Sequence, residues 1–374
     1  MVKRIRAYLF KNVGLWLNFY RYSLGRTKIY FTGERKHWTR VFWDLVMIYF
    51  REGEFCSHYY ALGYGLKGRH TTGYIGRKRI LAMKEAAEQI MITSIRSGIS
   101  YAAITKDKYY AGSILRANGL PTLVDLGIII RGKLYNSEFN EIDLSDISVF
   151  GSELVLKNTV LEASEGVLFL KSCQSSLLLN DIPIVSSDLH RIIRNGVWVV
   201  QERYRAHHMI AKISPGALNV IRIVTLFDGL MHKAIGGFQG FATGNAKTDS
   251  WSKGSIYVGI NFEKSCLKKY GYRSPWHSEP GLVLLHPDTD VCFDKYPIPF
   301  LNEAVSVCLK AHKIFYTNFM LGWDVAITEK GPLIVEVNEN PGMNVFQMVN
   351  SGMKEDINNC YRSLILLNQD NVNE

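Results

Sequence analysis

Between Trp38 and Ile99 apolar residues recur at helical spacing in two segments, VFWDLVMIYF and RILAMKEAAEQIMITSI, divided by a Gly/Tyr/His-rich stretch from Ser57 to Gly76. The spacing predicts a mainly helical N-terminal unit. Upstream, Ile5, Leu9, Val13, Trp16 and Tyr20 share one helix face beside Lys3, Arg4, Arg6 and Lys11. This pattern predicts a basic amphipathic helix that either packs on its own domain or lies on a membrane surface. The apolar run VGLWLNFY is far shorter than a bilayer span and is broken by Asn18 and Arg21, so it predicts neither a transmembrane helix nor a secretory signal. A further helix is expected from Lys108 to Asn118, closed by Gly119 and stopped by Pro121. Short strands then predominate: LVDLGIII, KLYN, ELVLKN, VLFLK, VWVVQERY, NVIRIVTLFDG, KAIGGFQGF and SIYVGINF. A helix over Leu301 to Tyr316, two strands GWDVAIT and PLIVEVN, and a helical C-terminal segment complete the pattern. Without an internal repeat, this is an α+β chain with sheets built around a cleft.

At 374 residues the chain exceeds one typical domain, and 47% hydrophobic residues supply material for a buried core. The net charge of +10 is unevenly placed: residues up to Tyr110 hold 20 Lys/Arg against 7 Asp/Glu, and the rest hold 24 against 27. The basic first third points to an anionic partner, for which phosphate head groups, acidic polymers and nucleic acid all qualify on charge. Nucleic acid is disfavoured because the segment carries no recognisable reading motif. Cys56, Cys173, Cys266, Cys292, Cys308 and Cys360 are scattered with no CxxC pair, which argues against a zinc site or disulfide framework and for reduced thiols in a cytoplasmic protein.

The sharpest chemical signal is GWDVAITEKGPLIVEVNENPG, two apolar strands flanking a Glu329, Lys330, Gly331 turn whose glycine can take positive φ. With the turn centred on Lys330, antiparallel register sets Asp324 opposite Glu336, with Asn338 two residues on along the same face. Two facing carboxylates repel unless a cation lies between them, and oxygen donors without nearby His or Cys suit Mg²⁺. A solvent-facing polar edge is the plainer reading, set against the cost of leaving unpaired carboxylates among VAI and LIVEV.

From Thr105 to Met348 the sequence resembles the ATP-grasp ligases, and within them the sugar-transfer-associated, alpha-L-glutamate-ligase-like group. The pieces that carry the resemblance are SPGALNVIRIVTLFDG, HPDTD followed by IPF, LNEAVSVCLKAHKIF, GWDVAITEKGPLIVEVNENPG and Gln347. It implies an ATP-grasp fold, two α+β subdomains clasping ATP, with units at 1–104, 105–200 and 201–374. It implies Asp324, Glu336 and Asn338 as ligands of two Mg²⁺. Lys108 and Lys157 become the phosphate lysines, with Lys106 as fallback for the first. The family's glycine-rich phosphate loop corresponds to NTVLEASEG, where Gly166 and Ser164 remain as contacts while Glu162 and Glu165 oppose phosphate. Adenine is expected at Gln201, Glu202, Arg203 and Tyr204, and ribose at His208. A zinc role for His207 and His208 is disfavoured because no further ligand clusters with them in sequence. Arg222, an awkward charge inside NVIRIVTLF, is expected at the γ-phosphate or acyl phosphate, and Lys253, with Ser252 and Gly254, at phosphate or acceptor.

The activity so implied is ATP-dependent, ADP-forming carboxylate-amine ligation through an acyl phosphate, joining an amino acid and a sugar acid or amino sugar, with a sugar-derived or polymeric anionic acceptor in surface-polysaccharide synthesis. The protein is expected in the cytoplasm, with peripheral attachment to the inner face of the membrane through the basic N-terminus. Two alternatives are a kinase acting on a hydroxyl and a noncatalytic anion-binding scaffold.

Overall fold

Two antiparallel sheets and the helices packed on them make up the protein, in a computed structural model that describes residues 14–24, 30–95, 102–161, 165–173, 176–274, 279, 281–350 and 352–370. The basic positions Lys3, Arg4, Arg6 and Lys11, and Ser164 of the expected phosphate loop, lie outside the described residues. Helix α1 covers 14–23, α2 Trp38–Glu52, α3 Arg77–Ser94, α4 Ala102–Lys106 and α5 Lys108–Ala117. The predicted spacing sets their buried faces: α2 turns Val41, Leu45 and Ile48 inward and stops where Gly53 takes φ 75°. Asp107 caps α5 by accepting from the N–H groups of Tyr109 and Tyr110, and Gly119 follows at φ 68°.

The first sheet contains β1 (Asp125–Ile130), β2 (Lys133–Asn136), β3 (Glu141–Ile142), β4 (Glu153–Asn158), β5 (Val167–Cys173), β6 (Ser176–Leu179), β7 (Ile182–Ile184) and β8 (Val197–Glu202), in the order β3-β2-β1-β8-β4-β5-β6-β7. Helix α6 (Ser186–Ile193) packs Leu189 and Ile193 against Leu154, Leu156, Trp198 and Val200 on one face. Period-two alternation therefore turns Val155, Lys157 and Gln201 to the other face, with Val155 paired to Gln201 and Lys157 to Val199.

The second sheet contains β9 (Val220–Phe227), β10 (His232–Phe241), β11 (Ile256–Asn261), β12 (Cys266–Arg273), β13 (Gly281–Val283), β14 (Met320–Thr328) and β15 (Gly331–Asn338), in the order β13-β12-β11-β10-β9-β14-β15. One face carries α5, α7 (His208–Ile213) and α8 (Leu301–Ile314), which bury Ile221, Ile223, Trp323 and Val325. The other carries α3, α9 (Met343–Asn350) and α10 (Lys354–Asp370) over Val224, Leu226 and Met320. Packing crosses the expected unit boundaries. Ile80, Met83, Ala87 and Met91 of α3 sit in the core of the second sheet, where burial of Ile80, Met83 and Met91 contributes roughly 1.5–3 kcal/mol each. The Glu88 carboxylate of α3 also accepts from Phe319 N–H at 3.2 Å. Helix α5 and its following loop are tied to the same sheet, where Ile334 N–H donates to Pro121 O at 2.9 Å.

Candidate active site

On the second sheet the residues Arg222, Asp324 and Glu336 form a row across three adjacent strands, because β14 pairs Asp324 with Arg222 of β9 on one side and with Glu336 of β15 on the other. The hairpin reaches this register by an unexpected route. Thr328 pairs with Gly331 around a two-residue turn, one residue out of the expected phase, and a bulge that leaves Val335 unpaired restores Asp324 opposite Glu336. Gly331 takes φ 114°, as its place in the turn requires. All three side chains lie on the face opposite Ile221, Ile223 and Trp323, where Asp324 and Glu336 line a cleft toward the first sheet and Arg222 stands beside Asp324 outside the cleft lining.

The guanidinium of Arg222 grips Asp324 with two hydrogen bonds, Nη2 to Oδ2 at 2.8 Å and Nε to Oδ1. Burial disfavours the charge, but the Asp324 carboxylate more than offsets it and holds Arg222 above its ordinary value. Asn338 Nδ2 donates to Asp324 Oδ2 at 3.4 Å, so Asn338 joins the row without lining the cleft wall. Lys108 Nζ lies 3.5 Å from Glu336 Oε1 and donates to Leu161 O at 2.6 Å. Burial raises the Glu336 carboxyl against the pull of Lys108.

The facing wall comes from the first sheet. Lys157, at the end of β4, makes no ion pair among the described residues. Burial pulls its ammonium down from 10.5 to about 8; Glu336 resists this and Lys108 adds to it. On β8, Gln201 Nε2 donates to Asp125 Oδ1 at 2.7 Å, and Arg116 Nη2 holds the other Asp125 oxygen at 2.6 Å. This clamp leaves Gln201 Oε1 buried without a partner on the cleft wall. Glu202, Arg203 and Tyr204 continue the wall. The guanidinium of Arg203 lies 5.4 Å above the Phe169 ring, and Lys247 Nζ lies 5.6 Å from the same ring.

Other expected residues lie apart. His208 is exposed and does not line the cleft; its N–H and Nδ1 meet Glu329 Oε1 at 2.7 and 3.0 Å, and His207 Nε2 lies 3.5 Å from Glu329 Oε2. Glu329 thus joins the two histidines, a neighbour that sequence spacing gave no reason to expect. Lys106 pairs with Glu339 at 3.0 Å. Lys253 is exposed at the end of a 3₁₀ turn, Trp251–Lys253, outside the cleft lining. Gly166, at φ 70°, accepts from Asn158 N–H at 2.8 Å beside Glu165, which does line the cleft.

Sequence reasoning missed Asp125, Arg116, Phe169, Lys247, Thr248 and Asp249. Burial pushes the Asp249 carboxyl up to about 6 even though its Oδ2 accepts from Val220 N–H at 2.8 Å. Thr248 Oγ1, beside it on the wall, is buried without a partner. A run of polar residues, NAKTDS, was the only trace of these two positions in the sequence.

The sequence pattern of the family described as sugar-transfer associated ATP-grasp matches residues 99–361. Comparison with curated proteins returns no match. Among solved structures, D-alanine–D-alanine ligase from Bacillus anthracis gives a TM-score of 0.43 at 15% identity, over 77% of this chain and 76% of that one. The same enzyme complexed with ATP gives 0.40 at 16%, over 75% and 72%. The biotin carboxylase domain dimer of Hydrogenobacter thermophilus 2-oxoglutarate carboxylase, solved with MgADP, ADP and bicarbonate, gives 0.41 at 13%, over 75% of this chain and 51% of that one.

Proposed function

Since the chain belongs to the sugar-transfer associated ATP-grasp family, we propose that it uses ATP to activate a carboxylate and joins it to an amine. The observation that carries this reading is the pair Asp324 and Glu336, with Arg222 bonded to the first and Lys108 beside the second, facing Lys157 across a cleft that Gln201 closes with an unsatisfied oxygen. Adenine meets Gln201 to Tyr204, where the unpaired Gln201 Oε1 accepts a hydrogen bond from the exocyclic amine. The phosphates run from there toward Lys108 and Lys157, and the Lys157 ammonium is otherwise costly to keep charged in its buried place.

Asp324, Glu336 and Asn338 offer oxygen donors only, the set that fits Mg²⁺, which when bound neutralises phosphate charge and orients the γ-phosphoryl group. The carboxylate substrate attacks that phosphoryl group, giving an acyl phosphate and ADP. The amine then attacks the acyl carbon, phosphate leaves, and the amine proton passes to a base at the cleft wall and from there to solvent. Arg222, fixed in orientation by Asp324, stabilises charge developing on the transferred group. Asp249, whose carboxyl burial at the cleft wall pushes up to about 6, is the base that accepts the amine proton in this reading.

The family's tie to sugar transfer favours a sugar acid or amino sugar as one reactant and an amino acid as the other, with a polymeric or lipid-linked anionic acceptor at the open end of the cleft. Six unpaired cysteines and the demand for ATP favour a cytoplasmic setting. The test is a reaction of purified protein with MgATP and pooled amino acids, sugar acids and amino sugars. An amide forms in step with ADP and phosphate, and Asp324→Asn or Glu336→Gln abolishes it. A phosphoester formed without free phosphate would assign a kinase instead, and nucleotide binding without turnover would assign a scaffold.

A further inference from the structure

Helix α2 buries one face and leaves the other apolar: Trp43, Met47 and Phe50, one and two turns apart, are 59%, 62% and 72% exposed. Helix α1 does the same with Trp16 and Tyr20, and Leu24 follows just past its end. The two stripes form one surface. Trp16 stacks on Phe42 at 5.8 Å, Phe42 meets Trp43 edge-on at 5.6 Å, and Tyr20 meets Trp38 edge-on at 5.8 Å. An aromatic patch of this breadth on the outside of a folded unit marks a contact surface.

Charge selects the occupant. Residues 1–33 carry seven Lys/Arg and no Asp or Glu. On α2 both acids are buried and paired, Asp44 with Lys36 at 2.7 Å and Glu52 with Arg51 at 2.7 Å and Lys354 at 2.8 Å. Arg21 and Arg40 are exposed on the two helices that carry the stripes, Arg40 with its Nε also 3.3 Å from Asp44 Oδ1. Among the described residues, neither α1 nor α2 presents an exposed carboxylate. No described helix is long and apolar enough to cross a membrane. We infer that α1 and α2 form a docking face for an anionic lipid surface, with the aromatic and Met side chains entering the head-group and acyl boundary and the arginines meeting lipid phosphates. A second copy is the weaker occupant, because two such basic faces repel. The inference stands whichever chemistry the cleft performs.

Co-sedimentation of the full chain with vesicles tests it, using phosphatidylglycerol with phosphatidylethanolamine against phosphatidylcholine, at about 0.1 M and about 1 M salt. The protein sediments with the anionic vesicles at low salt and its tryptophan emission shifts to the blue. The triple variant Trp43→Ser, Met47→Ser, Phe50→Ser removes exposed groups, so its melting transition stays, while partitioning falls by at least about tenfold. Equal binding by the triple variant, equal binding to neutral vesicles, or no binding at low salt overturns the inference. So does a concentration-dependent dimer in gel filtration that the triple variant abolishes, which would give the face to a second copy.

Discussion

Raising the pH from 7 to 9 should weaken ATP binding about tenfold through Lys157 alone. Its ammonium, lowered by burial to about 8, is about nine-tenths charged at pH 7 and about one-tenth charged at pH 9. Phosphate oxygens bind the ammonium and not the amine, so the apparent affinity follows the charged fraction. A lysine at the ordinary 10.5 would lose only a few per cent of its charge over that range. Calorimetric titration with MgATP at several pH values reads the slope, and buffers of different ionisation enthalpy read the proton taken up at pH 9. Lys157→Arg keeps its charge and should flatten the profile with affinity near the wild type at pH 7. Lys157→Met should flatten it at an affinity weaker by about tenfold or more. A wild-type slope no steeper than that of Lys157→Met would refute the assignment of Lys157 to the phosphates.

Two further predictions separate other parts of the cleft. Gln201→Leu should weaken ATP about tenfold and leave tripolyphosphate unchanged, because Gln201 is assigned to adenine; equal losses for both ligands would place it elsewhere. Asp249 is raised in the folded state to about 6 from 3.8, so the cost of its charge is absent below about 4 and fully present above about 6. Asp249→Asn, which can still accept from Val220 N–H, should therefore be more stable than the wild type by up to about 3 kcal/mol at pH 7.5 in urea unfolding, with the gain gone near pH 4.

The strands of both sheets were legible where short apolar runs end in polar residues, as in ELVLKN and VWVVQERY, because strands covered on both faces bury consecutive side chains. The facing pair Asp324 and Glu336 was legible from the hairpin, and Arg222 as a charge inside NVIRIVTLF that has to face something polar, but nothing in the sequence set Arg222 beside Asp324. The hairpin's register was right in outcome and wrong in path, since nothing in PLIVEVN marks Val335 as the bulge. Strand β12, with Lys268, Lys269 and Tyr270 in succession, has no such apolar run and was not foreseen, nor were the short β6 and β7. The clamp of Arg116 and Asp125 on Gln201 joins residues up to 85 positions apart, a contact that only the folded sheet brings about. Helix α3 was read correctly as a helix, but its burial against the second sheet depends on partners more than two hundred residues away, such as Phe346.

The central claim, that this cleft converts a carboxylate to an acyl phosphate at the expense of ATP, is tested most directly by following oxygen. Substrate pools labelled with ¹⁸O in their carboxylates are incubated with the protein and MgATP, and the phosphate released is examined by ³¹P resonance. The carboxylate attacks the γ-phosphoryl group and later leaves one of its oxygens on phosphate, so the account predicts one ¹⁸O per phosphate released, with the signal lost in Glu336→Gln. Phosphate released without label, or label retained wholly in an organic phosphoester, would contradict it.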